Sequence, residues 1–159
     1  MANLPIRRLG DPVLRTAADP VTTFDRELRR LVEDMFTAMY DADGMGLAAP
    51  QVGVSLRLFV YDSMNGRRGA VANPELTVDD PAELVEDEGC LSVPGVRYPL
   101  ARATAATVRG LDPKGKPIEV KARGYLARCL QHETDHLDGT VYVDKLPKDL
   151  RREALLSMG

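Results

Sequence analysis

Two kinds of hydrophobic patterning divide this chain. In "TFDRELRRLVEDMFTAMYDADG" the apolar residues Leu28, Leu31, Val32, Met35, Phe36 and Met39 recur at i, i+3 and i+4, the spacing of a helix with one buried stripe. Thr22 or Thr23 suits its cap, Asp25 its first turn, and Gly44 the position past its end. The middle of the chain reads differently. "SLRLFVYD", "RRGAVANPEL" and "AELVEDEG" are short strand-like segments broken by turn residues. "TAATVRGLDPKGKPIEVKARG" is a hairpin whose turn is built on Asp112, Pro113, Lys114 and Gly115. Helical patterning returns from about Gly124 through Leu137, ending near Gly139, and "PKDLRREALLSMG" reads as a short terminal helix. The pattern predicts an α+β fold, with short antiparallel strands and hairpins packed around the helix of the C-terminal half and an amphipathic helix near the N-terminus. No repeat or linker divides it, so residues 1–159 are expected to form one domain.

Composition adds mostly exclusions. A chain of 159 residues, 44% hydrophobic and 28% charged, can bury a core and matches ordinary globular proteins. A net charge of −3 leaves no basic footprint for nucleic acid. No apolar run is long enough for a signal peptide or a membrane span, so a cytoplasmic location is expected. In that setting Cys90 and Cys129 are expected as reduced thiols rather than as a disulfide.

The chemistry concentrates in "CLQHETDHLDG", which holds both histidines of the chain. On a helix, His132 and His136 project from one face and can grip one ion, with Glu133 beside it to take a proton from bound water. A catalytic metal needs a third ligand. The metzincin pattern fails because Tyr142 stands where its third histidine belongs, and Glu153, in the tail, is a poor candidate. Cys129 shares the histidine face, but helical side chains lean toward the N-terminus, which carries its thiol away. Cys90, in "EGCLSVPG", can reach over the helix from a strand end and is assigned as the third ligand, thiolate being a good ligand for late divalent metals.

Three segments, "GMGLAAPQ" (44–51), "EGCLS" (88–92) and "QHETDH" (131–136), resemble in order and spacing the three signature motifs of the bacterial peptide deformylases. The opening "GDPVLRTAADPV" and the helix after it are similar too, so the likeness spans nearly the whole chain. It implies Cys90, His132 and His136 as ligands of a ferrous ion, with zinc, nickel or cobalt able to substitute. It implies hydrolysis of the N-formyl amide of formyl-methionyl nascent peptides, with Glu133 as general base turned acid. Gln51, through its side-chain amide, and Leu91, through its backbone N–H, would donate to the oxyanion.

Gly44 and Gly46 would let backbone approach an extended peptide, to which Met45 and Gly46 offer main-chain groups. Gly89, Tyr125 and Cys129 would help form the methionine pocket. A tight small-residue turn is the plainer account of "GMGLAAPQ". Gln131 and Asp135 are either solvated helix residues or supports for a ligand. Arg128, on nearly the same face, has no assigned role. Lys145, Lys148, Arg151 and Arg152 give the tail a basic side, which suits either docking near the ribosomal exit tunnel or plain solvation. A zincin-type endopeptidase and a non-enzymatic metal-binding or ribosome-associated module are the competing readings.

Overall fold

The computed structural model describes residues 3–63 and 65–158. The elements run α1 (Arg26–Asp41), β1 (Gly46–Ala48), β2 (Leu58–Asp62), β3 (Arg68–Cys90), β4 (Val93–Leu111), β5 (Pro117–Arg123), α2 (Gly124–Leu137) and α3 (Lys148–Ser157). The five strands form one antiparallel sheet in the order β1-β2-β3-β4-β5. Helices at the two ends and an antiparallel sheet between them make this the expected α+β architecture. Among the described residues no helix is long and apolar enough to cross a membrane.

The strands are longer than their patterning suggested. "RRGAVANPEL" and "AELVEDEG" join into the single 23-residue strand β3. Their turn residues are absorbed as irregularities, because the β3–β4 register shifts between Ala72 and Glu75 and again around Asp80. Asn73 sits at the first shift in the left-handed region (φ 52°), and its side-chain amide bonds both the N–H and the carbonyl of Val21. A bulge accommodates Pro74, which has no N–H for the ladder. The β4–β5 hairpin turns where predicted: the Asp112 carboxylate accepts from Lys114 N and Lys116 N, and Gly115 adopts φ 83°.

Two of the helix-end assignments need correction. Asp25, not a threonine, caps α1, its Oδ1 accepting the Leu28 N–H at 3.0 Å. Asp43, not Gly44, takes the left-handed turn after the helix (φ 58°), and Gly44 N then bonds Met39 O at 2.9 Å. Asp reaches that conformation more easily than most side chains. Gly44 has a different reason to lack a side chain, since a Cβ there would meet Leu91 Cδ1 at 2.7 Å.

The stripe on α1 packs on the sheet, with Leu28, Val32, Met35 and Met39 buried against Leu47, Leu58 and Val60. Helix α2 lies against β4 and β5, where Ala127 and Leu130 meet Ala106, Val108 and Val120. Of its fourteen residues, Arg128, Gln131, His132, Glu133, Thr134 and His136 are polar yet buried. Burying polar groups costs several kcal/mol unless they find partners, so α2 identifies itself as the element built for chemistry.

Candidate metal centre and cleft

Helix α2 carries His132 and His136 one turn apart on one face, and β3 ends over that face at Cys90, just before the Leu91–Ser92 turn into β4. Cys90 Sγ lies 3.3 Å from His136 Nε2, which lies 3.2 Å from His132 Nε2. The ligand atoms of all three residues fall within 4.8 Å of one another. Cys129 stands apart from that cluster, and both cysteines are free thiols.

The donor set fits a divalent ion of the late-metal type. His132 Nδ1 bonds Glu88 Oε2 at 2.6 Å, which leaves the Nε2 lone pair facing inward. Burial works to lower the His132 pKa, but the charges of Glu133 and Cys90 and the bonds to Cys90 and Glu88 outweigh it and push it upward. For His136 burial dominates, His132 adds to it, and the shift is downward. One sulfur and two imidazole nitrogens converging in this way are donors suited to a late divalent ion.

Behind His132 lies a buried ionic network. Glu88, 4% exposed, accepts bonds from His132, from Arg102 Nε (3.0 Å) and Nη2 (2.7 Å), and from Arg128 Nη1 (2.9 Å). Burial opposes its charge, yet the bonds to His132 and Arg102 prevail and hold its carboxyl well below the usual range. Arg102 Nη1 also reaches Asp135 Oδ2 at 2.6 Å, and Lys145 Nζ lies 3.7 Å from that oxygen. Asp135 is thus a support that reaches His132 through Arg102 and Glu88. Gln131 bonds the Ala103 N–H and carbonyl and ties α2 to β4.

A cleft of about 690 Å³ opens on the candidate ligands Cys90 and His132. Gly44, Met45, Gly46, Gln51, Gly89, Cys90, Leu91, Tyr125, Cys129, His132 and Glu133 all line it. Met45 and Tyr125 stand at the exposed rim. Glu133 is 3% exposed, its Oε1 has no hydrogen-bond partner among the described residues, and burial lifts its pKa to about 7. Gln51 Oε1 accepts the Ala48 N–H, which aims Nε2 at Ser92 Oγ (3.1 Å) and Cys90 Sγ (3.6 Å). The Met45 carbonyl accepts from Asp62 N at 2.8 Å and lies 3.7 Å from the Cys129 thiol, whose pKa burial pushes up. Strand β1 is the sheet's edge, with β2 on one side and no described strand on the other.

The sequence reading missed Glu88 and Arg102. Glu88 had a signal, since a strand's period of two puts it on the face of Cys90. Arg102 had a weaker one, a lone charge in the small-residue run "LARATAA".

The polypeptide deformylase family profile matches residues 3–152. A peptide deformylase of Acidothermus cellulolyticus is 52% identical over 155 residues, spanning 98% of this chain and 85% of that protein. The crystal structure of a peptide deformylase from Legionella pneumophila, 48% identical, superposes with a TM-score of 0.92 and covers 98% of this chain and 92% of that one. The Ehrlichia chaffeensis peptide deformylase in complex with actinonin, 37% identical, gives 0.93 over 99% of this chain and 96% of that one. This chain belongs to the polypeptide deformylase family, metal-dependent hydrolases that remove the N-formyl group from nascent peptides.

Proposed function

We propose that Cys90, His132 and His136 hold a ferrous ion, and that this chain deformylates formyl-methionyl peptides in the cytoplasm as they leave the ribosome. The observation that carries the reading is the convergence of those ligand atoms within 4.8 Å, beside Glu133, in a cleft bordered by an open strand edge. Zinc, nickel or cobalt suits the same donors. A divalent ion bound there supplies Lewis acidity and makes hydroxide available near neutral pH.

The chain's residues do the rest. Glu133 takes the proton from the attacking water and returns it to the leaving amine, a transfer that a buried carboxyl with a pKa of about 7 can make in both directions. The Gln51 amide and the Leu91 N–H donate to the formyl oxygen as it becomes an oxyanion. Gln51 is fit for this because the Ala48 N–H fixes its oxygen and leaves its NH2 beside the Cys90 sulfur, where Ser92 Oγ holds it. Met45 and Gly46 offer main-chain groups to the peptide, in the manner of an added strand, and Gly44 and Gly46 leave room for its backbone. Gly89, Tyr125 and Cys129 border the methionine side chain, and the actinonin bound by the Ehrlichia relative is expected to occupy the same cleft here.

The deciding measurement is formate release from formyl-Met-Ala by protein purified without oxygen, with its metal analysed. Iron in stoichiometric amount and rapid release support the reading, and release that needs no metal sinks it. Air should inactivate the iron form faster than a nickel form, because ferrous iron and its thiolate are both oxidisable. Lys148, Arg151 and Arg152 are exposed on α3 and form the basic surface offered to the ribosome. Cosedimentation with ribosomes that survives deletion of residues 147–159 refutes that docking role.

A further inference from the structure

One wall of the cleft is built on a connector rather than on a regular element. Ala42, Asp43, Gly44 and Met45 all line the cleft, and they lie between the end of α1 at Asp41 and the start of β1 at Gly46. Met45 is 38% exposed. An exposed stretch of this kind keeps a single shape only where bonds fix it. At the helix end Asp43 N bonds Tyr40 O at 3.1 Å and Gly44 N bonds Met39 O at 2.9 Å. At the strand end Asp62 N bonds Met45 O at 2.8 Å.

Asp62, the last residue of β2, holds both ends of that connector. Its backbone N–H fixes Met45, and its Oδ2 accepts the hydroxyl of Tyr40, from the last turn of α1, at 2.5 Å. The bond to Asp62 pushes the Tyr40 pKa up, which keeps the phenol protonated and donating. The ring is held in its turn. It stacks on Phe36 with centroids 6.1 Å apart, and the Arg68 guanidinium lies 4.2 Å from the Phe36 centroid and 5.9 Å from that of Tyr40. Arg68 stands opposite Asp62 in the β2–β3 ladder, so α1, β2 and β3 meet around this one phenol.

We propose that Tyr40 is a positioning residue for the cleft: its hydroxyl, acting through Asp62, fixes residues 42–45 where Met45 and Gly46 can meet the peptide backbone. This rests on the deformylase reading of the cleft. Tyr40 is not among the residues that line the cleft, so it acts on peptide binding and not on the chemical step. Without the hydroxyl the connector keeps its backbone bonds but loses the tie between its two ends. A bound peptide must then supply that order at the expense of its own affinity.

The test measures hydrolysis of formyl-Met-Ala-Ser by metal-loaded protein, with kcat and KM separated. Tyr40→Phe keeps the stacked ring and removes only the hydroxyl. Its KM should rise about fivefold, the fold-change of one hydrogen bond, with kcat unchanged. Asp62→Ala should give a similar rise, while Asp62→Asn, which keeps an oxygen for the phenol to donate to, should stay near the parent chain. The double variant Tyr40→Phe, Asp62→Ala should be no worse than Asp62→Ala alone. A parental KM in Tyr40→Phe, or a double variant whose losses multiply, overturns the proposal. Hydrogen exchange in peptide-free protein reads the same tie without turnover. The Asp62 amide, protected by Met45 O, should exchange about fivefold faster in Tyr40→Phe, while amides within the β2–β3 ladder keep their rates. Unchanged exchange at Asp62 overturns the proposal, whereas faster exchange in a chain that releases no formate sinks the deformylase reading alone.

Discussion

A Cβ at residue 46 would stand 2.5 Å from Glu133 Oε2 and 2.8 Å from Cys129 Sγ. Gly46→Ala must therefore push the Glu133 carboxylate out of line, and a displacement near 1 Å costs about 10²-fold in turnover. Kinetics on Gly46→Ala with its metal content confirmed should show that loss in kcat, and an unchanged kcat would show that Glu133 has room to spare. The two cysteines separate by position in the same way. Cys90→Ser should lose most of its metal while Cys129→Ser keeps it, which elemental analysis of the purified variants reads directly. The candidate ligand cluster was legible in the sequence because HExxH is local, its parts held by a helix of known period. Cys90 could be placed by elimination among few candidate ligands. What could not be read was the support behind His132. Glu88, Arg102 and Asp135 come from three elements, and the pairing of β3 with β4 and the seating of α2 on β4 set their distances.

At the scale of elements, helix α1 shows where local reading stops short. Its stripe is as patterned, but the cap lies nearer the helix than either threonine, and Asp25 makes the bond to Leu28 N. Asp25→Ala should cost about 1 kcal/mol of stability, whereas Thr22→Ala or Thr23→Ala should change the urea midpoint little. An equal effect from either threonine would mean that the chain enters the helix another way. The long strands were illegible for a related reason. Asn73–Pro74 and Asp79–Asp80–Pro81 carry turn residues, and the pairing partner, not the sequence, decides whether such a break ends a strand or bulges within it. In β3 the neighbouring β4 is long enough to hold the ladder across both.

Over the whole molecule, the Glu88 network makes stability depend on acidity. Glu88 has a folded-state pKa depressed below its ordinary value of 4.5, so its contribution is fully present above that value and fades as pH falls toward the folded pKa. Glu88→Gln should lower the stability of metal-free protein at pH 7 by about 3–5 kcal/mol, the range for breaking a buried pair. The gap between the two proteins in urea unfolding should narrow as the pH drops below about 4.5. A gap that stays constant to strongly acid pH would mean that Glu88 holds the fold by shape rather than by charge. Strand β1 sets a different condition, one of timing. An open strand edge accepts only backbone that has no partner yet. A peptide paired there must arrive extended, before its first residues are taken up by a hairpin or helix of their own. On the pairing proposed for β1, processing at this cleft is a race against the client's folding, and an N-terminus that folds early is expected to keep its formyl group.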